Sequence, residues 1–462
     1  MGTQRYDLIV IGAGSAARYG ATKAKEHGAK VALVEHERWG GSCPNVACTP
    51  TKAYLVVADL AHKINTLAGE IGIEVGAATV NLARVRAWKE TLKKPQEKWV
   101  EDLRAAGFDT LQGNASFVDP RTVRVGDTDL SADKILIATG SRTAVPPIEG
   151  IDQVDWLDHV SALELEELPE RLLVVGAGAV GLEFGQAFSR FGSKVTLVDA
   201  LDEIAPHTDE HAAMELRTAL EAEGIPIMLG CFVERVAARN GRNVATIVPR
   251  GGGMEQEVEF DRLLLASGRR PNIDDLNLEA AGVATYKLGV VADERMRTNI
   301  PGIWAAGDVN GQSPFTPAAQ YQARIAVEDM YRPGEGPAAD YSVFPTAIFT
   351  DPELAGVGLT QMAAEEQGFE AEAVVHPLSA VRRASYVDAK HGLFKIVFDQ
   401  PSRRVLGLHV VAPGASEIVQ GLSVALRLGV TVDELAEAHH TFPTFGQGVK
   451  AAAERAPVTI PA

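Results

Sequence analysis

A chain of 462 residues leaves room for about three domains at ~100–200 residues each. Its apolar share of 46% suits a globular protein with large cores, and its net charge of −17 argues against nucleic-acid partners, which require basic patches. No apolar run reaches the roughly 18 residues that span a bilayer, and the first residues lack the charged and apolar regions of a secretory signal. A cytoplasmic protein without nucleic-acid or membrane partners is expected.

In chain order, residues 6–11 read as a β-branched strand. They run into Gly12-Ala13-Gly14-Ser15-Ala16-Ala17 and a helix-like stretch, and a second strand, 31–34, ends at Glu35. Residues 79–106 are polar with a helical pattern, and 134–138 read as a strand. The opening pattern then returns: a strand at 172–175, the turn Gly176-Ala177-Gly178-Ala179-Val180-Gly181, and a strand at 195–198 ending at Asp199. Each copy therefore has a strand, a glycine turn, a helix and an acidic residue about 20 positions on, which is the βαβ pattern that binds dinucleotides. Ala17 stands where the third glycine would be in the first copy, an accepted variant because that position serves helix–strand packing. A further strand is expected at 263–266. After Tyr341 the texture changes, and 343–349 and 393–411 (with a strand-like run at 394–398) suggest an antiparallel sheet with helices at 415–428 and 432–438. A boundary falls near the Pro/Gly-rich stretch 333–337.

The glycine turns bring backbone N–H groups and a helix N-terminus toward a pyrophosphate, and Glu35 and Asp199 are placed to accept hydrogen bonds from a ribose. Asp199 also repels a 2′-phosphate, and no Arg or Lys follows it in Ala200-Leu201-Asp202, so NADH is expected in preference to NADPH at the second site.

Two of the three cysteines, Cys43 and Cys48, stand in Gly41-Ser42-Cys43-Pro44-Asn45-Val46-Ala47-Cys48-Thr49-Pro50-Thr51-Lys52. Three cysteines are too few for a disulfide scaffold, and in a reducing cytosol a close pair points to catalysis. In a regular helix Cα atoms five apart lie roughly 8–9 Å from each other, whereas disulfides want less than about 7 Å. A bridge here requires a distorted first turn, with Pro44 fitting the early positions and Pro50 disturbing the ladder further on. Two buried core thiols, or half of a zinc site lacking its second ligand pair, are the other readings. No metal site is expected. Cys231 stands alone and reads as a buried apolar residue.

This tract resembles the active-site signature of the class I pyridine nucleotide–disulfide oxidoreductases, which include lipoamide dehydrogenase, glutathione reductase and mercuric reductase. The resemblance extends along nearly the whole chain. It takes in Leu136-Ile137-Ala138-Thr139-Gly140-Ser141, Ile303-Trp304-Ala305-Ala306-Gly307-Asp308 and Phe344-Pro345-Thr346-Ala347-Ile348-Phe349. It implies an α/β protein with two Rossmann-like dinucleotide-binding domains and a C-terminal α+β dimerisation domain. The segments are 1–150 (FAD-binding, first part), 151–270 (NAD(P)-binding), 271–336 (FAD-binding, central part) and 337–462 (dimerisation). It further implies an enzyme that passes electrons from NADH through FAD to a Cys43–Cys48 disulfide and on to a small disulfide-type substrate. Cys48 then faces the flavin and Cys43 the substrate, Lys52 lies near flavin N5, and Glu183 pairs with Lys52. Gly12, Gly14, Glu35, Ser42, Ala115, Thr139, Gly140, Gly268 and Asp308 take FAD-site or cofactor-binding places, and Gly176, Gly178, Gly181 and Asp199 those of the nicotinamide coenzyme. A homodimer is implied, with C-terminal residues completing the partner's site.

The chain departs from this family in one place. Members carry a His-Pro-Thr segment with a glutamate five residues after the histidine. Here the segment reads His439-His440-Thr441-Phe442-Pro443-Thr444-Phe445-Gly446-Gln447, with Phe442 at the histidine position and Gln447 at the glutamate position. Neither carries a proton between about pH 5 and 9. The expected proton source is then His439, His440 or water. The tract also resembles 2-ketopropyl-coenzyme M oxidoreductase/carboxylase, which has phenylalanine at that position and cleaves a thioether, although that enzyme lacks the lysine found here at Lys52. A mercuric reductase-like activity is the less expected alternative, because residues 456–462 contain no C-terminal cysteine pair. A flavoprotein subunit without turnover is a further one.

Overall fold

The computed structural model describes residues 3–239 and 241–457. The expectations placed on Met1, Gly2 and 458–462 lie outside the described residues. The chain divides into two compact units. One comprises residues up to Thr51, Ala87–Ala144 and Gly268–Asp340, and the other Lys52–Arg86, Val145–Ser267 and the residues from Tyr341 on.

The first unit is built on a five-stranded parallel sheet in the order Ile303–Ala305, Ile135–Ile137, Leu8–Ile11, Val31–Glu35, Asp109–Gln112. Leu8–Ile11 is buried along its whole length, as a parallel strand covered on both faces must be. The helices Ser15–Glu26 and Thr316–Tyr331 cover one face through an alanine-rich contact of Ala17, Ala21, Ala24, Ala319 and Ala323. The single strand expected at 6–11 is two. Gln4–Tyr6 pairs in a four-stranded sheet with Thr128–Ala132, and the chain turns at Asp7, whose carboxylate accepts the Lys30 N–H at 2.8 Å before Leu8 enters the parallel sheet. The helical stretch expected at 79–106 is likewise two helices, Leu82–Thr91 and Gln96–Ala105. Pro95 is the N-cap of the second, where its missing N–H is no loss.

The second unit repeats the parallel design in the order Trp156–Leu157, Arg262–Leu265, Arg171–Val175, Lys194–Val198, Ile227–Met228. The sheet expected after Tyr341 is present with five antiparallel strands in the order Thr346–Ile348, Glu353–Gly358, Val405–Ala412, Leu393–Asp399, Ala371–Pro377. Of the expected strand 343–349, Thr346–Ile348 pair. The helices Ala415–Arg427, Val432–Glu437 and Gln447–Ala453 contribute buried residues to the core of this sheet. Among the described residues no helix is long and apolar enough to cross a membrane.

Candidate active site

Both glycine turns are built alike. Gly12 and Gly176 each have φ +113°, and a Cβ would stand 2.4 Å from the Ala138 carbonyl oxygen in one case and 2.3 Å from that of Ala266 in the other. Only glycine fits where the turn crosses the end of the neighbouring strand. Glu35 Oε2 accepts the Ala13 N–H at 2.8 Å, and Asp199 Oδ2 accepts the Ala177 N–H at 2.6 Å. The acidic residue that ends the second strand thus pins each turn. Gly14 and Gly178 are the N-caps of Ser15–Glu26 and Ala179–Phe191, and neither helix has a side-chain cap. Their first-turn N–H groups stay available to an anion. Nothing lies within 4 Å of a Cβ placed on Gly178, whereas one on Gly181 would meet the Gly176 oxygen at 1.8 Å. The third position demands glycine in the second copy. In the first copy the buried Ala17 is accommodated.

The first turn opens into a cavity of about 490 Å³ lined by Gly12, Gly14, Glu35, Ser42, Ala115, Thr139 and Gly140. The structure thus gathers these expected residues around one space. Sequence reasoning missed its far wall, Arg142 and Asn272–Leu276. Asn272 donates to the Thr139 carbonyl at 3.0 Å and accepts the Thr139 hydroxyl on its own carbonyl at 2.7 Å, a long-range pairing with no local signal. Asp308 opens the short turn Asp308–Asn310, accepts the Ser141 hydroxyl at 2.6 Å and lies 3.5 Å from Arg269. Gly268 has φ +130° with open space around it.

Cys43 is the second residue of the short helix Ser42–Val46, and Cys48 opens the long helix Cys48–Glu70. Between them Ala47 has φ −130° and ψ −99°, and its N–H reaches back to the Ser42 carbonyl at 3.0 Å. The expected distortion is therefore present, but Pro50 is not its source. Pro50 is the third residue of the long helix, where a proline is tolerated, and the break falls at Ala47. A Cβ on Gly41 (φ +74°) would stand 2.4 Å from the Gly14 Cα, so the cysteine segment lies directly against the first turn. Cys48 Sγ is 3.6 Å from the Thr316 hydroxyl. Cys231, expected to be buried, is half-buried and donates its S–H to the Leu229 carbonyl at 3.3 Å.

One turn after Cys48 on the same helix, Lys52 meets the buried Glu183 at 2.9 and 2.7 Å. Glu183 Oε1 also accepts the Phe349 N–H at 3.0 Å, and the ammonium sits 4.5 Å from the centre of the Phe349 ring. The pair expected from the resemblance is thus in direct contact. Phe442 is 68% exposed on this chain, and Gln447 opens the helix Gln447–Ala453. Burial and the nearby Lys450 cation push the His440 pKa below its ordinary value, which favours the neutral imidazole.

Comparison with known proteins identifies the lineage. The family described as pyridine nucleotide-disulphide oxidoreductase matches residues 6–323, and its dimerisation domain matches residues 344–453. The chain belongs to this family. Its members are FAD-dependent enzymes that bind FAD and NAD(P)H. A mercuric reductase of Staphylococcus aureus is 35% identical over 454 residues, 97% of this chain and 82% of that one. A dihydrolipoyl dehydrogenase of Thermus scotoductus is 37% identical over 454 residues, 97% of each chain. The solved Cu(II) complex of the HOCl-induced flavoprotein disulfide reductase RclA from Escherichia coli superposes with a TM-score of 0.87 at 28% identity, covering 99% of this chain and 100% of that one. The sequence expectations of family, α/β fold and enzyme class therefore hold.

Proposed function

We propose that this oxidoreductase passes electrons from NADH through FAD and a Cys43–Cys48 disulfide to a small disulfide. The observation that carries the reading is the helix break at Ala47, which separates two cysteines in a segment that packs through Gly41 against the first glycine turn. FAD suits the cavity beside that turn because Gly12 leaves no Cβ in the cradle, the helix N-terminus is uncapped and a buried carboxylate closes one end. When bound, FAD supplies the two-electron relay between coenzyme and cysteines. The NADH place is the second turn, with Gly176, Gly178, Gly181 and Asp199. The family's dimerisation domain supports a homodimer, and the segments 1–150, 151–270, 271–336 and 337–462 serve as the functional division.

In the reduced protein Cys43 attacks one sulfur of the acceptor. A mixed disulfide forms and one thiolate leaves. Cys48 then attacks the Cys43 sulfur, re-forming the Cys43–Cys48 bond and releasing the second thiolate. Two electrons, supplied by one NADH, reduce one acceptor disulfide. Phe442 and Gln447 cannot protonate either leaving thiolate, so the proton comes from water or from the neighbouring His439 or His440. Lys52, fixed by Glu183, holds a positive charge one helical turn from Cys48.

A second reading has a thiophilic metal ion as acceptor. The relatives named mercuric reductase and the Cu(II) complex of RclA favour it, and reduction of an ion releases no thiolate in need of a proton. Anaerobic NADH titration tests the proposal. A long-wavelength absorption band that is lost in Cys48→Ser and kept in Cys43→Ser supports the assigned roles, and the reverse pattern refutes them. A panel of disulfides, thioethers and metal ions then separates the acceptors.

A further inference from the structure

We infer that Arg18 forms, beside Cys43, a recognition point for an acidic group on the acceptor, so that the disulfide reduced by this protein is an anionic one. The inference rests on the reading of Cys43 as the thiol that meets the acceptor.

Arg18 lies at the end of the first turn of Ser15–Glu26, and its guanidinium carbon sits 4.5 Å from the centre of the Trp99 ring. That indole packs on the cysteine segment, since a Cβ on Gly40 would stand 2.6 Å from it. The Gly14–Gly41 contact fastens the start of the Arg18 helix to the same segment. Arg18 Nε and Trp99 Nε1 are both shut off from solvent and have no hydrogen-bond partner. Among the described residues no hydrogen bond or ion pair engages the Arg18 guanidinium. Other cations nearby are matched: Arg38 with Glu37 at 2.5 Å, Lys93 with Glu90 at 2.7 Å, and Lys94 with Asp102.

Burial pushes the Arg18 pKa down, and Cys43 is the ionisable neighbour whose negative charge works against that. Arg18 does not line the 490 Å³ cavity, so its open donors are not directed at a nucleotide there. A half-buried cation whose Nε is shut off from solvent and that has no carboxylate partner is stabilised by an anion brought to its remaining donors. A guanidinium offers five N–H donors and no acceptor, in a fork that matches carboxylate, sulfonate or phosphate. The same charge repels a metal cation approaching Cys43. Because the chain carries a net charge of −17, an anionic substrate needs such a local cation at the point of reaction.

The test uses two alkylating agents that differ only in charge, iodoacetate and iodoacetamide, on the flavin-loaded, NADH-reduced protein, with the modified cysteine located by mass spectrometry. Both consume the same thiolate, so any change in thiol pKa cancels in the ratio of their rates. The ratio of iodoacetate to iodoacetamide at Cys43 is expected to fall about tenfold in Arg18→Met and to stay within about threefold of wild type in Arg18→Lys. Arg18→Met removes the charge and keeps an unbranched apolar side chain, and flavin retained per subunit reports its folding. An unchanged ratio in flavin-loaded Arg18→Met overturns the Arg18 assignment and leaves the function standing. Should Arg18→Met fail to retain flavin, Arg18→Gln serves in its place under the same criterion. Alkylation at Cys48 instead of Cys43 overturns the assignment of the accessible thiol, and this inference with it.

Discussion

Coenzyme choice follows from what surrounds Asp199. Its two oxygens accept the N–H groups of Ala177 at 2.6 Å and Leu201 at 2.8 Å, and no cation pairs with it among the described residues. The nearby Arg250 is bound to Asp202. A 2′-phosphate entering here meets a fixed carboxylate. Two unit charges about 5 Å apart interact by ~1–3 kcal/mol between the dielectric extremes of water and a protein surface, or about 5- to 150-fold in affinity. Because Asp199 is half-buried, kcat/KM for NADH is expected to exceed that for NADPH by about 10- to 100-fold at low ionic strength. Asp199→Asn keeps a carbonyl to receive the Ala177 N–H and discards the charge, so the ratio should drop to within about threefold. Raising salt to about 0.5 M should narrow the wild-type ratio by screening. Steady-state kinetics with both coenzymes checks all three. Equal kcat/KM values in the wild type, or a ratio that Asp199→Asn leaves intact, refutes the reasoning.

Other outcomes are expected at named residues. Phe442→His with Gln447→Glu should raise turnover of a disulfide by about 10–10²-fold, since a positioned acid commonly contributes 10²–10⁴-fold and this one is installed without its native surroundings; no gain in the pre-steady-state oxidative half-reaction counts against proton supply as the limit. Gly178→Ala, with open space around it, should fold normally and raise the KM for NADH, whereas Gly181→Ala, whose Cβ would meet the Gly176 oxygen at 1.8 Å, should lose thermal stability. Lys395 and Asp209 form an ion pair at 2.7 Å with both side chains 1% exposed, so Lys395→Met should lower the unfolding free energy by about 3 kcal/mol in urea titrations at fixed FAD. Adding Asp209→Ser, which keeps a cap for the helix Glu210–Ala222, should recover most of that loss; simple additivity is the contrary result.

What the sequence disclosed was local. Both glycine turns were legible because a strand, a positive φ and a helix start follow one another within a few residues, and the acidic residue ending the second strand fixes the register. The antiparallel sheet after Tyr341 was legible from strand-like apolar runs such as 393–411. Asp7 was missed as a strand break because its cause, pairing of Tyr6 with Ala132 and of the Asp7 carboxylate with Lys30, lies elsewhere in the chain. The helix break between the cysteines was expected in kind, yet its place at Ala47 could not be read. Proline is the visible signal, and Pro50 sits in a first turn that tolerates it. The Lys52–Glu183 contact came from resemblance alone, since nothing within either helix announces the other. Arg18 carried no signal at all: its meaning depends on Trp99, Gly40 and Cys43, brought together by tertiary packing.

The central claim, that Cys43 and Cys48 together hold the electrons passed on to the acceptor, is met most directly by counting thiols. Denatured, alkylated protein is compared by mass spectrometry before and after one equivalent of NADH is added anaerobically to the FAD-loaded chain. The account predicts two new alkylated cysteines per subunit, Cys43 and Cys48, with Cys231 modified equally in both samples. Oxidation of NADH with no new thiol at Cys43 and Cys48 would contradict it.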